Sequence, residues 1–249
     1  MTPNAGTVQN HYDHFLSQQY LWMAGGLEEN IRTNLGFFSD HGIIPAKNSI
    51  AVDLGAGCGF QSIALARTGF SVISVDFCEP MRDILRQNSS RLQVRIIQTD
   101  MLAFDSWAGQ NPDLITCMGD TITHLSDRSI AGDLIRHCAE ELVVGGKIVL
   151  SFRDYFQEPE DTVVIPIRRD SDRIFLCRLE YRREKTRVTD IIYSRKSGRW
   201  SRAESTYPKI CIGRKFLTNL VADEGFAVLE SWTDSGVITL ITQNLGRRA

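Results

Sequence analysis

Ser49-Ile50-Ala51-Val52-Asp53-Leu54-Gly55-Ala56-Gly57-Cys58-Gly59-Phe60 runs straight on to Ile63-Ala64-Leu65-Ala66. An apolar strand meets three glycines at alternate positions and then a helix-forming segment. Glycines at such a junction keep the backbone thin, so it can lie against a nucleotide-like ligand at a helix N-terminus. In the dinucleotide fingerprint the third glycine stands three positions after the second. Here that position is Phe60, and the third glycine comes early, at Gly59. Asp53 sits at the strand end, two residues before the first glycine. A carboxylate there repels a pyrophosphate and suits a ligand that carries positive charge.

Working outward, Phe70-Ser71-Val72-Ile73-Ser74-Val75-Asp76 reads as a second buried strand ending in an acid. Asp76 stands about twenty residues beyond the first glycine, the placement of a ribose-hydroxyl acceptor; it is also placed to cap the next helix. Val94 to Met101 reads as a third strand, Pro112 to Met118 as a fourth and Gly146 to Phe152 as a fifth. Ser126 to Glu141 supplies a helix, with Ile130, Leu134, Ile135 and Cys138 at spacings of three and four. Gly145-Gly146 stops it and starts a strand. At the far end, Phe226 to Trp232 and Val237 to Thr242 are joined only by Thr233-Asp234-Ser235-Gly236. So short a connection makes these strands antiparallel, because a parallel return needs a dozen or more residues.

The glycine spacing, the acids at Asp53 and Asp76 and the terminal hairpin together resemble the class I S-adenosylmethionine-dependent methyltransferases, over about residues 50 to 245. The resemblance implies a Rossmann-like α/β fold, a seven-stranded mostly parallel sheet whose last strand is antiparallel. It implies S-adenosylmethionine as cofactor, with S-adenosylhomocysteine as product. Asp53, Gly55, Gly57, Gly59 and Met118 would border that cofactor, Asp76 would hold the ribose, Asp100 would accept from the exocyclic amine and the Met101 backbone would meet the adenine ring. Tyr12 and Tyr20 would join them if the N-terminal segment closes over the site; aromatic residues at helical spacing also fit a core.

Two shorter stretches are similar to the glycine and sarcosine N-methyltransferase-like group. Gly119-Asp120-Thr121-Ile122-Thr123-His124-Leu125 matches that group's Gly-Asn-Ser-Phe-x-His-Leu, and Phe152-Arg153-Asp154-Tyr155 its His-Arg-Asn-Tyr. By that likeness Arg153 would grip an anionic group of the acceptor through its guanidinium fork, and Gly119 and His124 would border the methyl-transfer site. Asp120 departs from the group's amide; its charge would favour a cationic amine or serve as a base. Plainer readings stand beside these: His124 satisfying a buried carbonyl, and Arg153 in a surface ion pair with Asp154.

Two segments lie outside this core. Gln9 to His41 is helix-like, with Gly25-Gly26 as a break, and reads as a lid. From Glu158 to Pro208 the period changes, and Ile174–Tyr181, Val188–Ser194 and Trp200–Tyr207 read as three antiparallel strands. The expected division is therefore a helical lid over 1–45, a methyltransferase core over 46–157 and 209–249, and a β insertion over 158–208. Arg214 to Glu224 reads as the last core helix.

With 249 residues, 43% of them apolar, the chain can bury one full core. A net charge of −2 gives no general attraction to nucleic acid or anionic membrane. The basic stretch Tyr181 to Arg187 is diluted by neighbouring acids and reads as a solvated strand end or hairpin turn rather than an RNA contact. The six cysteines are scattered without metal-ligand spacing and read as reduced thiols. No signal pattern or membrane span is read, and no metal is expected. The expectation is a cytoplasmic monomer or homodimer acting on a small-molecule methyl acceptor, an amine in preference to an oxygen. A non-catalytic binding partner and a methyltransferase of RNA or protein remain open alternatives.

Overall fold

The computed structural model describes residues 3–155 and 161–246. In chain order the first elements are α1 (Pro3–His11), one π-helical turn (Tyr12–Leu16), α2 (Ser17–Ala24) and α3 (Leu27–Asp40). Then follow β1 (Ile50–Leu54), α4 (Phe60–Arg67), β2 (Ser71–Asp76), α5 (Glu79–Asn88), β3 (Val94–Gln98) and β4 (Leu114–Cys117). After a 3-10 turn at Thr121–His124 come α6 (Arg128–Glu141) and β5 (Lys147–Arg153). The insertion contributes β6 (Thr162–Arg169), β7 (Arg173–Glu180), β8 (Lys185–Lys196) and β9 (Arg199–Ile210), and the chain closes with α7 (Arg214–Asp223), β10 (Phe226–Asp234) and β11 (Val237–Asn244).

Seven strands form one sheet in the order β10-β11-β5-β4-β1-β2-β3. β11 runs antiparallel to both β5 and β10, while β1 to β5 pair in parallel. This is the topology expected of the class I methyltransferase fold. Alternate residues of each strand feed opposite faces. Val52, Ile115 and Leu150 pack with Leu134, Ile135, Leu217 and Val221 of α6 and α7. Ala51, Val149 and Ile241 pack with Ile31, Phe38, Ile63 and Leu65 of α3 and α4.

Asp127 supplies the N-cap of α6, its Oδ1 accepting from the Ser129 N–H at 2.9 Å and the Ile130 N–H at 3.1 Å. Those bonds, with the Ser129 and Ser126 hydroxyls, hold its carboxyl down at about 2. Because the folded value lies below the unfolded one, the stabilisation is present above about pH 4 and lost as pH falls through about 2. Asp127→Ala is expected to cost about 1 kcal/mol in urea unfolding at pH 7 and much less at pH 2.

The second sheet has the order β6-β7-β8-β9 and is antiparallel throughout. It holds one strand more than the three expected. β6 and β9 are its edges, and each contains a proline, Pro166 and Pro208. Proline lacks an N–H and is tolerated only where the ladder ends. The expected insertion boundary at 157/158 lies outside the described residues.

The N-terminal helices bridge the two sheets. Leu16 packs on Phe175 and Ile192 of the insertion. Tyr20 and Leu21 pack against the cluster of Cys58, Phe60, Cys78 and Met81 beside the glycine loop. Gly25 and Gly26, at φ 94° and 101°, make the break between α2 and α3. No described helix is long and apolar enough to cross a membrane.

Candidate active site

At the C-terminal edge of the parallel strands, under the N-terminal helices, lies a cavity of about 290 Å³, close to the lower end of the range for small-molecule sites. Its floor is the turn after β1. Gly55 and Gly57 take φ of +73° and +52°, which side chains with a Cβ rarely adopt. A Cβ on Gly55 would stand 2.3 Å from Thr121 Cγ2, and one on Gly59 2.3 Å from Leu85 Cδ1. Gly59 thus lets α4 and α5 meet, while Gly55 and Gly57 line the cavity.

Asp76, at the end of β2, also lines it. Its Oδ2 accepts from the Gly57 N–H at 2.8 Å and its Oδ1 from the Cys78 N–H at 2.7 Å. Each oxygen keeps a lone pair for a ligand hydroxyl. Burial pushes this carboxyl up to about 6, against the pull of those two N–H groups and of Arg82. The N-cap of α5 is Cys78, so Asp76 does not cap that helix.

Asp100 and Met101 line the cavity beyond β3. Asp100 Oδ1 accepts from the Leu102 N–H at 3.0 Å, and the Met101 carbonyl accepts from Trp107 Nε1 at 3.1 Å. Met118 and Gly119 border it after β4. Tyr12 and Tyr20 complete it from above. Burial drives both phenols upward, so both stay protonated.

Asp53 is placed differently. It is 1% exposed and outside the cavity lining, accepting from Ser62 Oγ at 2.5 Å and Thr116 Oγ1 at 2.8 Å. Burial raises its carboxyl. It ties β1 to α4 and β4 beneath the glycine turn rather than facing a ligand.

His124 lines the cavity, and its Nε2 lies 3.1 Å from the Tyr12 hydroxyl. Its Nδ1 is buried without a hydrogen-bond partner. Burial, with Lys209 and His11 nearby, pushes the imidazole well below its ordinary range, so it is neutral at pH 7. Asp120 and Arg153 do not line the cavity. Asp120 is turned away into bonds with Thr123, Tyr155, the Arg153 N–H and Lys209. The exposed Arg153 points its Nη1 at the Ser235 carbonyl, 3.4 Å away on the β10–β11 turn. The two residues thus do not converge on the cavity, as an amino acid-like acceptor would require.

Several lining residues carried no sequence signal. Asn30 and Asn34 project one turn apart from α3, and Phe77 and Thr99 follow β2 and β3. Lys209, which does not line the cavity, was not singled out either; it lies beyond the strand read over Trp200–Tyr207, while β9 runs on to Ile210. The basic stretch behaves as read: Glu180 lies within 4 Å of Arg178, Arg182 and Arg187. All six cysteines are free, and among the described residues no group of His, Cys, Asp or Glu gathers as a metal site.

Residues 51–146 match a family described as a methyltransferase domain. The seven-stranded sheet around that match has the class I methyltransferase fold. It is 31% identical over 109 residues to the ubiquinone biosynthesis O-methyltransferase of Coxiella burnetii, covering 43% of this chain and 45% of that protein. It is 28% identical over 136 residues to the glycine N-methyltransferase of Rattus norvegicus, covering 49% and 44%. The chain thus spans under half the length of these curated relatives. Among solved structures it is similar to CalS10, an amino pentose methyltransferase from Micromonospora echinaspora, with a TM-score of 0.68 at 16% identity over 88% of this chain and 91% of that one.

Proposed function

We propose that the chain is an S-adenosylmethionine-dependent methyltransferase acting on a small-molecule acceptor, at an amine nitrogen in preference to an oxygen. One observation carries this reading: a single cavity joins the glycine turn, Asp76 and the Asp100-Met101 pair to a neutral imidazole with an unpartnered nitrogen. The cradle fits an adenosyl group. Gly55 and Gly57 leave room for close approach, Asp76 offers both oxygens to ribose hydroxyls, and Asp100 Oδ2 is free for an exocyclic amine.

When bound, S-adenosylmethionine supplies a methyl group on sulfur; the acceptor's lone pair takes that carbon as the carbon–sulfur bond breaks, leaving a neutral thioether. The chain's own residues orient the acceptor. Tyr12 and Tyr20 keep water out from above. Tyr12 holds His124 Nε2 and fixes a neutral imidazole in the cavity wall, and the proton released from the amine passes to solvent. An imidazole with so depressed a pKa is a poor base for a hydroxyl. A neutral amine needs no such base, because its lone pair is already nucleophilic. Supporting the small-molecule reading, the solved structure described above is of an amino pentose methyltransferase, and the curated relatives are named for glycine and for ubiquinone biosynthesis.

Incubating the protein with methyl-labelled S-adenosylmethionine and a cell extract, then separating small molecules from macromolecules, tests the proposal. Label is expected in the small-molecule fraction. Label confined to RNA or protein would contradict the acceptor class, and absence of transfer to any fraction would contradict the activity.

A further inference from the structure

The loop after β4 holds a carboxylate whose charge the insertion cancels. Asp120 sits in the left-handed region at φ 73°. Its Oδ1 accepts from the Arg153 N–H at 2.9 Å and the Thr123 hydroxyl at 2.9 Å, and its Oδ2 from the Tyr155 hydroxyl at 2.6 Å. Oδ2 is also ion-paired with Lys209 Nζ. Lys209, near the end of β9, is 5% exposed, and its ammonium lies 5.4 and 5.9 Å from the rings of Tyr155 and Tyr207. A buried ion pair with every lone pair engaged is neutral as a unit, and removing one member leaves the other uncompensated.

Around His124 the other charge lies behind the cavity wall: Asp190 of β8, 4% exposed, stands 3.1 Å from His11 Nε2 and accepts from the Tyr207 hydroxyl at 3.3 Å. Among the described residues, the only carboxylates lining the cavity are Asp76 and Asp100, both assigned to the adenosyl group, and no lysine or arginine lines it. The rings of Tyr12 and Tyr207 flank His124 at 5.4 and 5.5 Å, Phe77 packs on Tyr12, and Val8 and Leu125 line the same cavity. A sulfonium bound alongside would repel a second cation and leave it no counter-charge.

We propose that Lys209 sets the charge preference of the acceptor: by neutralising Asp120 it leaves the region around Tyr12, Phe77 and His124 suited to an uncharged, weakly basic amine on an apolar body, of which an arylamine is the simplest. Ammonium, zwitterionic and anionic acceptors are disfavoured. The location of the acceptor rests on the methyltransferase reading; the ion pair and its charge balance do not. Lys209 is a positioning residue, acting through Asp120 and His124 rather than on the acceptor.

The test compares the wild type, Lys209→Met and the double variant Asp120→Asn/Lys209→Met, which restores neutrality without the pair. Two readouts are used. The first is calorimetric binding of aniline and of benzylamine, a cation at pH 7, to protein saturated with S-adenosylhomocysteine. The second is the NMR titration of His124 in protein without ligand. His124 is faced by Tyr12 from the π turn, His11 from α1, and Lys209 and Tyr207 from β9, with Asp120 in its own loop and Asp190 of β8 behind His11 and Tyr207. Wild type is expected to prefer aniline by about tenfold or more. Lys209→Met is expected to shift that preference toward benzylamine and to raise the His124 midpoint by about one unit. The double variant should return both toward wild type. A wild type that prefers benzylamine or binds neither probe, or a Lys209→Met variant with both readouts unchanged, overturns the proposal. Should S-adenosylhomocysteine fail to bind, the methyltransferase reading falls, while the His124 titration still decides the role of Lys209.

Discussion

Asp76→Ala is expected to weaken S-adenosylhomocysteine binding by roughly 1–3 kcal/mol, about 5- to 150-fold, because ribose hydroxyls lose a charged acceptor in a half-buried site. Calorimetry at pH 7.5 reads the effect directly. The wild type should also lose affinity as pH falls through about 6, where the Asp76 carboxyl takes up a proton. Stability moves the opposite way. A carboxyl raised above its unfolded value binds its proton more tightly in the folded chain, so ionised Asp76 costs stability above about pH 6, and that cost is relieved as pH falls toward 4. A variant that binds as the wild type does, at both pH 5 and pH 7.5, would remove Asp76 from the site.

The largest effect on stability is expected at Trp107, which is fully buried. Its ring packs edge-on against Phe104 and His137, and its Nε1 holds the Met101 carbonyl. Trp107→Ala is expected to cost roughly 3–5 kcal/mol, lowering Tm by about 6–20 °C for a chain of this size. S-adenosylhomocysteine binding should weaken as well, since the Met101 wall loses its anchor. Trp107→Phe keeps most of the packing and loses one hydrogen bond, so about 1 kcal/mol is expected. Thermal unfolding that moves by less than 2 °C in the alanine variant would show that the site does not lean on this residue.

The parallel core was legible in the sequence because buried strands and glycine turns are written locally. Residues 50–59 carry both the strand and the turn, and the four-residue link at 233–236 fixes the antiparallel ending. Asp76 was legible for the same reason, as the acid that ends a buried strand. Properties that depend on contacts distant in sequence were not. Asp120 looked like a free charge because its partner Lys209 lies 89 residues away, just beyond the strand read over Trp200–Tyr207. Asp53 looked like a ligand, but its hydroxyl partners come from α4 and β4. Arg153 is the last residue of β5, where its side chain reaches the β10–β11 turn and not the cavity. The π turn at Tyr12–Leu16, which presents Tyr12 to His124, has no sequence signature and is the kind of irregularity that gathers at functional sites.

The central claim, that the cavity over the glycine turn holds an adenosyl group by its ribose, is tested most directly by a crystal structure of the chain grown with S-adenosylhomocysteine. The account predicts both ribose hydroxyls within hydrogen-bond reach of Asp76, the adenine between Asp100 and Met101, and the sulfur on the side of His124. Density for the nucleoside anywhere else, or a cavity left empty at saturating ligand, would contradict it.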